Sequence, residues 1–130
     1  MPPSRNRVHL DTHVVCWLYA GLVHQLSQRV VECIETNQLV ISPWVLAELQ
    51  VLYEKGVLTL PALPIFEDLE KRLGLSITNF TSIQVIKASM SLSWAEDPFD
   101  RMIVSEASLD EAPLITKDAH LHAHFKQVIW

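Results

Sequence analysis

Asp11 and Asp118 each close an apolar run. The first run is Arg7-Val8-His9-Leu10-Asp11, and the second is Pro113-Leu114-Ile115-Thr116-Lys117-Asp118. Runs of this length, followed by helix-start signals, read as buried parallel strands. In an open parallel sheet, ligands bind beyond the carboxyl ends of the strands, where strand order reverses. Both carboxylates are therefore expected to face one crevice. Asp100 stands at the start of a helical segment, and Glu48 shares a helix side with Val45, Val51 and Leu52. A carboxylate at the edge of an apolar stripe is costly unless it is paired or metal-bound. Acids gathered in one crevice repel each other unless a hard cation such as Mg²⁺ or Mn²⁺ sits among them. An ion held there would orient water and stabilise charge on a phosphoryl group, so phosphodiester hydrolysis is the chemistry within reach.

Each acid also has a plainer reading. Asp11 before Thr12 can be a helix cap, Asp100 can complement a helix dipole, and Asp118 can form an Asx-turn. Glu48 can be a solvated residue at a helix edge. The combination is stronger than its parts, because the topology brings Asp11, Asp100 and Asp118 to one side of the sheet.

The elements that must position these acids alternate between strand and helix. Thr12 is the expected N-cap of a helix whose apolar face (Val14, Val15, Trp17, Leu18) stops at Gly21. A second helix is predicted over residues 27–36 and a strand over 39–41. Ser42-Pro43 opens a third helix, since proline fits the first helical position. It turns Val45, Leu46, Leu49 and Leu52 inward and ends at Lys55-Gly56. Residues 57–63 read as loop or short extended chain, 64–73 as helix ended by Gly74, and 75–78 as strand. A helix over 82–92, with Ile83, Ile86 and Met90 as its apolar positions, precedes a loop over 93–99. Then come a helix over 100–109, the strand to Thr116, a helical turn over 120–125 and a last strand at Val128-Ile129. Such alternation implies a three-layer α/β sandwich with a parallel sheet, formed by residues 1–130 as a single domain.

Composition sets outer bounds. Hydrophobic residues make up 49% of the 130, ample for one core. Ten Lys and Arg against fifteen Asp and Glu give a net charge of −5, which is not the footprint of a protein that holds nucleic acid by charge alone. The excess is what one acidic metal site would leave, so it does not exclude a nuclease. No apolar stretch is long enough to cross a bilayer, and the basic N-terminal residues lack a secretory apolar region after them. Cys16 and Cys33 lack metal-ligand spacing and read as reduced core residues of a cytoplasmic protein.

Four stretches in order now carry a resemblance: Asp11-Thr12-His13 after a strand, Ser42-Pro43 with Glu48 six residues past the cap, Asp97-Pro98-Phe99-Asp100-Arg101, and Leu114-Ile115-Thr116-Lys117-Asp118. Together they resemble a PIN domain, in the form found in VapC-type ribonuclease toxins of toxin–antitoxin pairs. The resemblance spans the chain from first strand to last. It implies a five-stranded parallel sheet of order 3-2-1-4-5 and an acidic quartet of Asp11, Glu48, Asp100 and Asp118. It also implies Mg²⁺- or Mn²⁺-dependent RNA cleavage leaving a 5′-phosphate and a 3′-hydroxyl, an antitoxin partner and a homodimer. Exposed Leu, Val and Trp residues of the first and third helices would supply the dimer face. At the third acid, Asp100 fits the pattern better than Asp97, which is left as an outer ligand or a cap.

Around the quartet, Thr12 and Thr116 can bind water or metal, or cap an element. Arg101 and Lys117 can contact the scissile phosphate, or neutralise neighbouring acids. Trp94 and Phe99 can stack on bases or pack in a lid. His120 and His124 share a helix face, but no tetrahedral ligand set completes a zinc site there. His9 points to the same strand face as Asp11, where packing is its expected role. Two rivals compete with a nuclease. A non-catalytic PIN-like binding module would have no use for a repulsive quartet. A phospho-acceptor receiver domain needs paired acids after strand one and an Asp after the central strand, and neither is present.

Overall fold

The computed structural model describes residues 6–130; the basic start of the N-terminus, Met1 to Arg5, lies outside the described residues. Five strands form one parallel sheet: β1 (Arg7–Leu10), β2 (Gln38–Ile41), β3 (Ser76–Ile77), β4 (Leu114–Ile115) and β5 (Val128–Ile129). Their order is β3-β2-β1-β4-β5, as the resemblance implied. Val8, His9 and Leu10 are all buried, as are Leu39, Val40 and Ile41. Successive strand residues point to opposite faces, so both faces of the central strands are covered. Helices supply that cover: α1 (Thr12–Ala20), α2 (Gln28–Thr36), α3 (Pro43–Glu54), α4 (Ala62–Leu73), α5 (Ser82–Ser89), α6 (Pro98–Leu109) and α7 (Ala119–His124). The result is the expected three-layer sandwich.

The chain leaves β1 on one side to build β2 and β3, then crosses back to build β4 on the other. His9 pairs with Leu114 and Leu10 with Ile115, and the Asp11 amide donates to the Ile115 carbonyl at 3.1 Å. The carboxyl ends of β1 and β4 are thereby level with each other at the switch point. Gly21 and Gly74 end α1 and α4 in the left-handed conformation, with φ of 71° and 69°. A side chain would strain the backbone at either place.

Several local expectations shift. Asp11, not Thr12, caps α1, because the extended chain reaches Asp11 and its carboxylate accepts from the Thr12 amide at 2.8 Å. Likewise Asp97 caps α6 and accepts from the Asp100 amide at 3.0 Å, which makes Asp100 the third residue of the helix rather than its start. Helix α4 begins two residues early, at Ala62, whose amide donates to the Gln50 side chain. Helix α5 is shorter than predicted and rolled over. Val85 and Ser89 are buried, whereas Ile83, Ile86 and Met90 are exposed. Its buried face is set by α6, whose Arg101 Nε donates to the Ser89 carbonyl at 3.0 Å.

Candidate active site

Asp11, Glu48, Asp100 and Asp118 line one cavity of about 420 Å³ at the carboxyl ends of β1 and β4. They arrive from four elements. Asp11 follows β1, Asp118 follows β4, Glu48 projects from α3 and Asp100 from the first turn of α6. Asp97, His13, Val14, Trp17, Thr116 and Lys117 complete the wall. All four sequence-predicted acids are thus together, with both candidates for the third position present.

Hydroxyls hold the acids in place. The Thr116 hydroxyl donates to Asp11 Oδ2 at 2.6 Å, while Asp11 Oδ1 takes the Thr12 amide. The Thr12 hydroxyl donates to Glu48 Oε1, so one threonine links α1 to α3 across the site. Asp118 Oδ1 caps α7, accepting from the His120 and Leu121 amides at 2.8 and 3.1 Å. Thr12 and Thr116 therefore act on the carboxylates, and each capping role foreseen for an acid coexists with its place in the cavity.

The electrostatics are those of a site short of positive charge. Burial pushes the Asp11 carboxyl above its ordinary range, against the hydrogen bonds from Thr116 and Thr12. Burial raises Glu48 too, with Asp11 and Asp97 adding to the rise. Asp100 is pushed up to about 7, first by burial and then by the charges of Asp11, Asp97, Glu48 and Asp118. A pH dependence follows. A carboxyl raised from 3.8 to about 7 makes the folded state hold a proton that the unfolded chain releases. Stability is then greatest at low pH and is lost as pH rises through that window. A fully buried acid displaced so far would account for about 4 kcal/mol. Asp100 keeps part of its surface in water, so about 1–2 kcal/mol is expected. Urea midpoints in chelator, taken across the window, measure it; a flat profile would show that neither burial nor the neighbouring acids raise Asp100.

Among the described residues, no three His, Cys, Asp or Glu side chains stand close enough together to form a ready metal cage. The donor set nevertheless fits a hard divalent ion: it is all oxygen, mutually repulsive, and only partly engaged by hydroxyls and amides. Mg²⁺ characteristically takes one or two carboxylates and fills its other positions with water and phosphate oxygens. Convergent carboxylates around an open cavity suit that habit better than a closed cage would.

Other predicted residues lie elsewhere. Arg101 turns to the Ser89 carbonyl and does not line the cavity, leaving Lys117 as the only Lys or Arg among its described lining residues. Phe99 packs edge-on against Trp44, with ring centres 6.2 Å apart. His9 is wholly buried, as packing required, and its Nε2 meets Asp110 Oδ2 at 2.7 Å. Trp94, His120 and His124 form an aromatic cluster beside the acidic cavity. Cys16 and Cys33 are free, and burial pushes the Cys16 thiol up to about 11.

Glu106 was missed by the sequence reading. It is 2% exposed, and its two carboxylate oxygens take the Ser42 hydroxyl at 2.6 Å and the Thr78 hydroxyl. Ser42 caps α3, the helix that carries Glu48, so Glu106 ties α6 to the start of α3 and the end of β3. The signal was present: Glu106 lies in the apolar run Met102-Ile103-Val104-Ser105-Glu106-Ala107. The argument that singled out Glu48 applies to it equally.

The order of these elements recurs in known proteins. The PIN domain family model matches residues 8–126. The chain belongs to the PIN domain family. No curated protein matches the sequence. Among solved structures, the PIN-domain fold is shared with a toxin–antitoxin complex from Klebsiella pneumoniae, at 19% identity and a TM-score of 0.65, covering 95% of this chain and 96% of that one. VapBC2 from Rickettsia felis, bound to a DNA fragment from its promoter, gives 19% identity and 0.68 over 95% and 96%. DNA-bound VapBC from Salmonella typhimurium gives 18% and 0.64 over 95% of both chains. At these identities the likeness establishes the fold of the PIN domain and nothing finer.

Proposed function

We propose that this PIN domain is a Mg²⁺- or Mn²⁺-dependent endoribonuclease and the toxin of a toxin–antitoxin pair. One observation carries the reading. Four carboxylates from four separate elements converge on one cavity at the switch point, where its own burial and the charges of its acidic neighbours drive Asp100 up to about 7. Asp11 and Asp100 would hold the ion, with Glu48 and Asp118 completing its surroundings directly or through water. Bound there, the ion supplies positive charge to the reacting phosphate and favours deprotonation of the attacking water.

The chain's own residues do the positioning. The Thr116 hydroxyl and the Thr12 amide fix both oxygens of Asp11, and the Thr12 hydroxyl fixes Glu48. Asp97 holds the first turn of α6, and with it Asp100, through the Asp100 amide. Lys117 at the cavity wall is the phosphate contact; Arg101, engaged with Ser89, serves the framework of α6 instead. Cleavage leaves a 5′-phosphate and a 3′-hydroxyl, and RNA as substrate puts the protein in the cytoplasm. No helix of the described residues is long and apolar enough to cross a membrane.

An antitoxin partner is supported by the structural relatives, several of which are toxin–antitoxin complexes. A basic side chain from such a partner would neutralise the acidic cavity and block it. A homodimer belongs to the same reading. Trp17 and Leu18 of α1 pack against the core, so Trp44 and Tyr53 of α3 are the exposed apolar groups left for it on the two expected helices. Light scattering that finds only monomer would remove the dimer.

The alternative is a non-catalytic PIN-like binding module. Incubation of purified protein with RNA, in Mg²⁺, Mn²⁺ or chelator, separates the two. Metal-dependent cleavage with 5′-phosphate ends is expected; cleavage that persists in chelator, or none with either metal, would leave the binding module.

A further inference from the structure

We propose that a second cavity beside the acidic site, walled by Trp94 and His120, is a subsite for the base of an unpaired ribonucleotide flanking the bond to be cut. The proposal rests on the nuclease reading above. The cavity holds about 350 Å³, and Ala95, Glu96 and the almost wholly buried Leu121 also line it. Its volume is in the range of small-ligand pockets, roughly 300–1,000 Å³. Asp97 and Asp100 line both cavities, so the two are contiguous through the first turn of α6. A nucleotide with its phosphate at the acids would have its neighbour's base at this wall.

The wall is held rigid. Trp94 stacks on His124 with ring centres 4.9 Å apart and planes 11° apart, and His120 meets Trp94 edge-on at 5.7 Å. His120 Nε2 lies 2.8 Å from the Trp94 carbonyl, which can only accept, so that nitrogen carries the proton. His124 Nδ1 is likewise 3.0 Å from the His120 carbonyl. A base settling on such a surface orders little that is not already ordered, which favours binding. The chain also needs this kind of grip. Its net charge is −5, and Lys117 is the only Lys or Arg among the described residues of the acidic cavity. Base–aromatic stacking supplies a grip that needs no cation at the base itself, tolerates sequence and requires unpaired bases.

The test uses a single-stranded RNA cut at one bond, and a set in which an abasic residue replaces each flanking nucleotide in turn. Wild type should lose about ten-fold in kcat/KM when the abasic residue occupies one flanking position, and little at the others. Trp94→Ala and His120→Ala should lose about ten-fold on intact RNA and become indifferent to that abasic substitution, whereas Trp94→Phe keeps the preference. His120 is exposed, so its variant remains informative if Trp94→Ala does not fold. A His120→Ala protein with the wild-type penalty overturns the subsite alone. So does one that cleaves normally but no longer binds a partner protein, which would reassign the wall to that partner. Wild type that cleaves no RNA overturns the nuclease reading, and the subsite with it.

Discussion

Asp11→Asn should reduce RNA cleavage by about a thousand-fold while leaving the fold intact. The asparagine has the same shape, and its carbonyl oxygen can still accept from Thr12, so the cap of α1 survives. What disappears is a charge that burial already disfavours. Removing it also relieves Asp100 and Glu48, both of which are raised in part by Asp11. The melting temperature of the metal-free protein should therefore equal or exceed that of wild type, as is common where a site is kept for function at a cost in stability. Cleavage assays and thermal melts on one preparation check both halves. A variant that is inactive but also melts early would point to a structural role for Asp11, and an active variant would end the proposed mechanism.

Glu106→Ala should have the opposite profile. Two hydroxyls, on Ser42 and Thr78, would lose their partner inside the protein, and a cavity would open on α6. Unsatisfied buried groups and lost volume together are expected to cost about 3 kcal/mol. For a domain of this size that is a fall of roughly 10–15 °C in Tm. Glu106→Gln preserves the shape and one acceptor, and should cost about 1 kcal/mol. Because Ser42 caps the helix that carries Glu48, the Glu106→Gln protein should also cleave more slowly. The loss should fall on kcat rather than KM, since Glu106 is buried and offers a substrate nothing to touch. Equal stability of wild type and Glu106→Ala would mean that the two hydroxyls find other partners.

The contrast between these two acids marks what the sequence could reveal. Asp11 and Asp118 were legible because each ends a short apolar run, and the carboxyl end of a parallel strand is a defined place in the fold. Glu48 was legible because helix periodicity puts it beside Val45 and Leu52. The strand order followed from the resemblance, and Leu10 beside Ile115 at the switch point agrees with the crevice argued from the residues. Glu106 carried the same local signal, but its partners escaped because they lie 64 and 28 positions away, a distance no local pattern spans. The roll of α5 escaped for a related reason. Ile83, Ile86 and Met90 make a more apolar stripe than Val85 and Ser89, and only the docking of α6, with Arg101 on the Ser89 carbonyl, turns the second face inward. That same hydrogen bond turns Arg101 to the Ser89 carbonyl, a partner that its neighbourhood in sequence, which allowed a phosphate contact or neutralisation of nearby acids, did not suggest. Asp11 and Asp97 were each legible as caps, but the sequence left Thr12 and Asp100 as rival helix starts, because element ends shift by a residue or two with the packing around them.

The most direct measurement is a calorimetric titration of Mn²⁺ into wild type and into the Asp11→Asn/Asp100→Asn protein. A site made by the convergent carboxylates should bind Mn²⁺ saturably in wild type, and release protons at pH values below about 7, where Asp100 is still protonated. The double variant should show no saturable heat. Equal binding by both proteins would contradict the quartet as the metal centre.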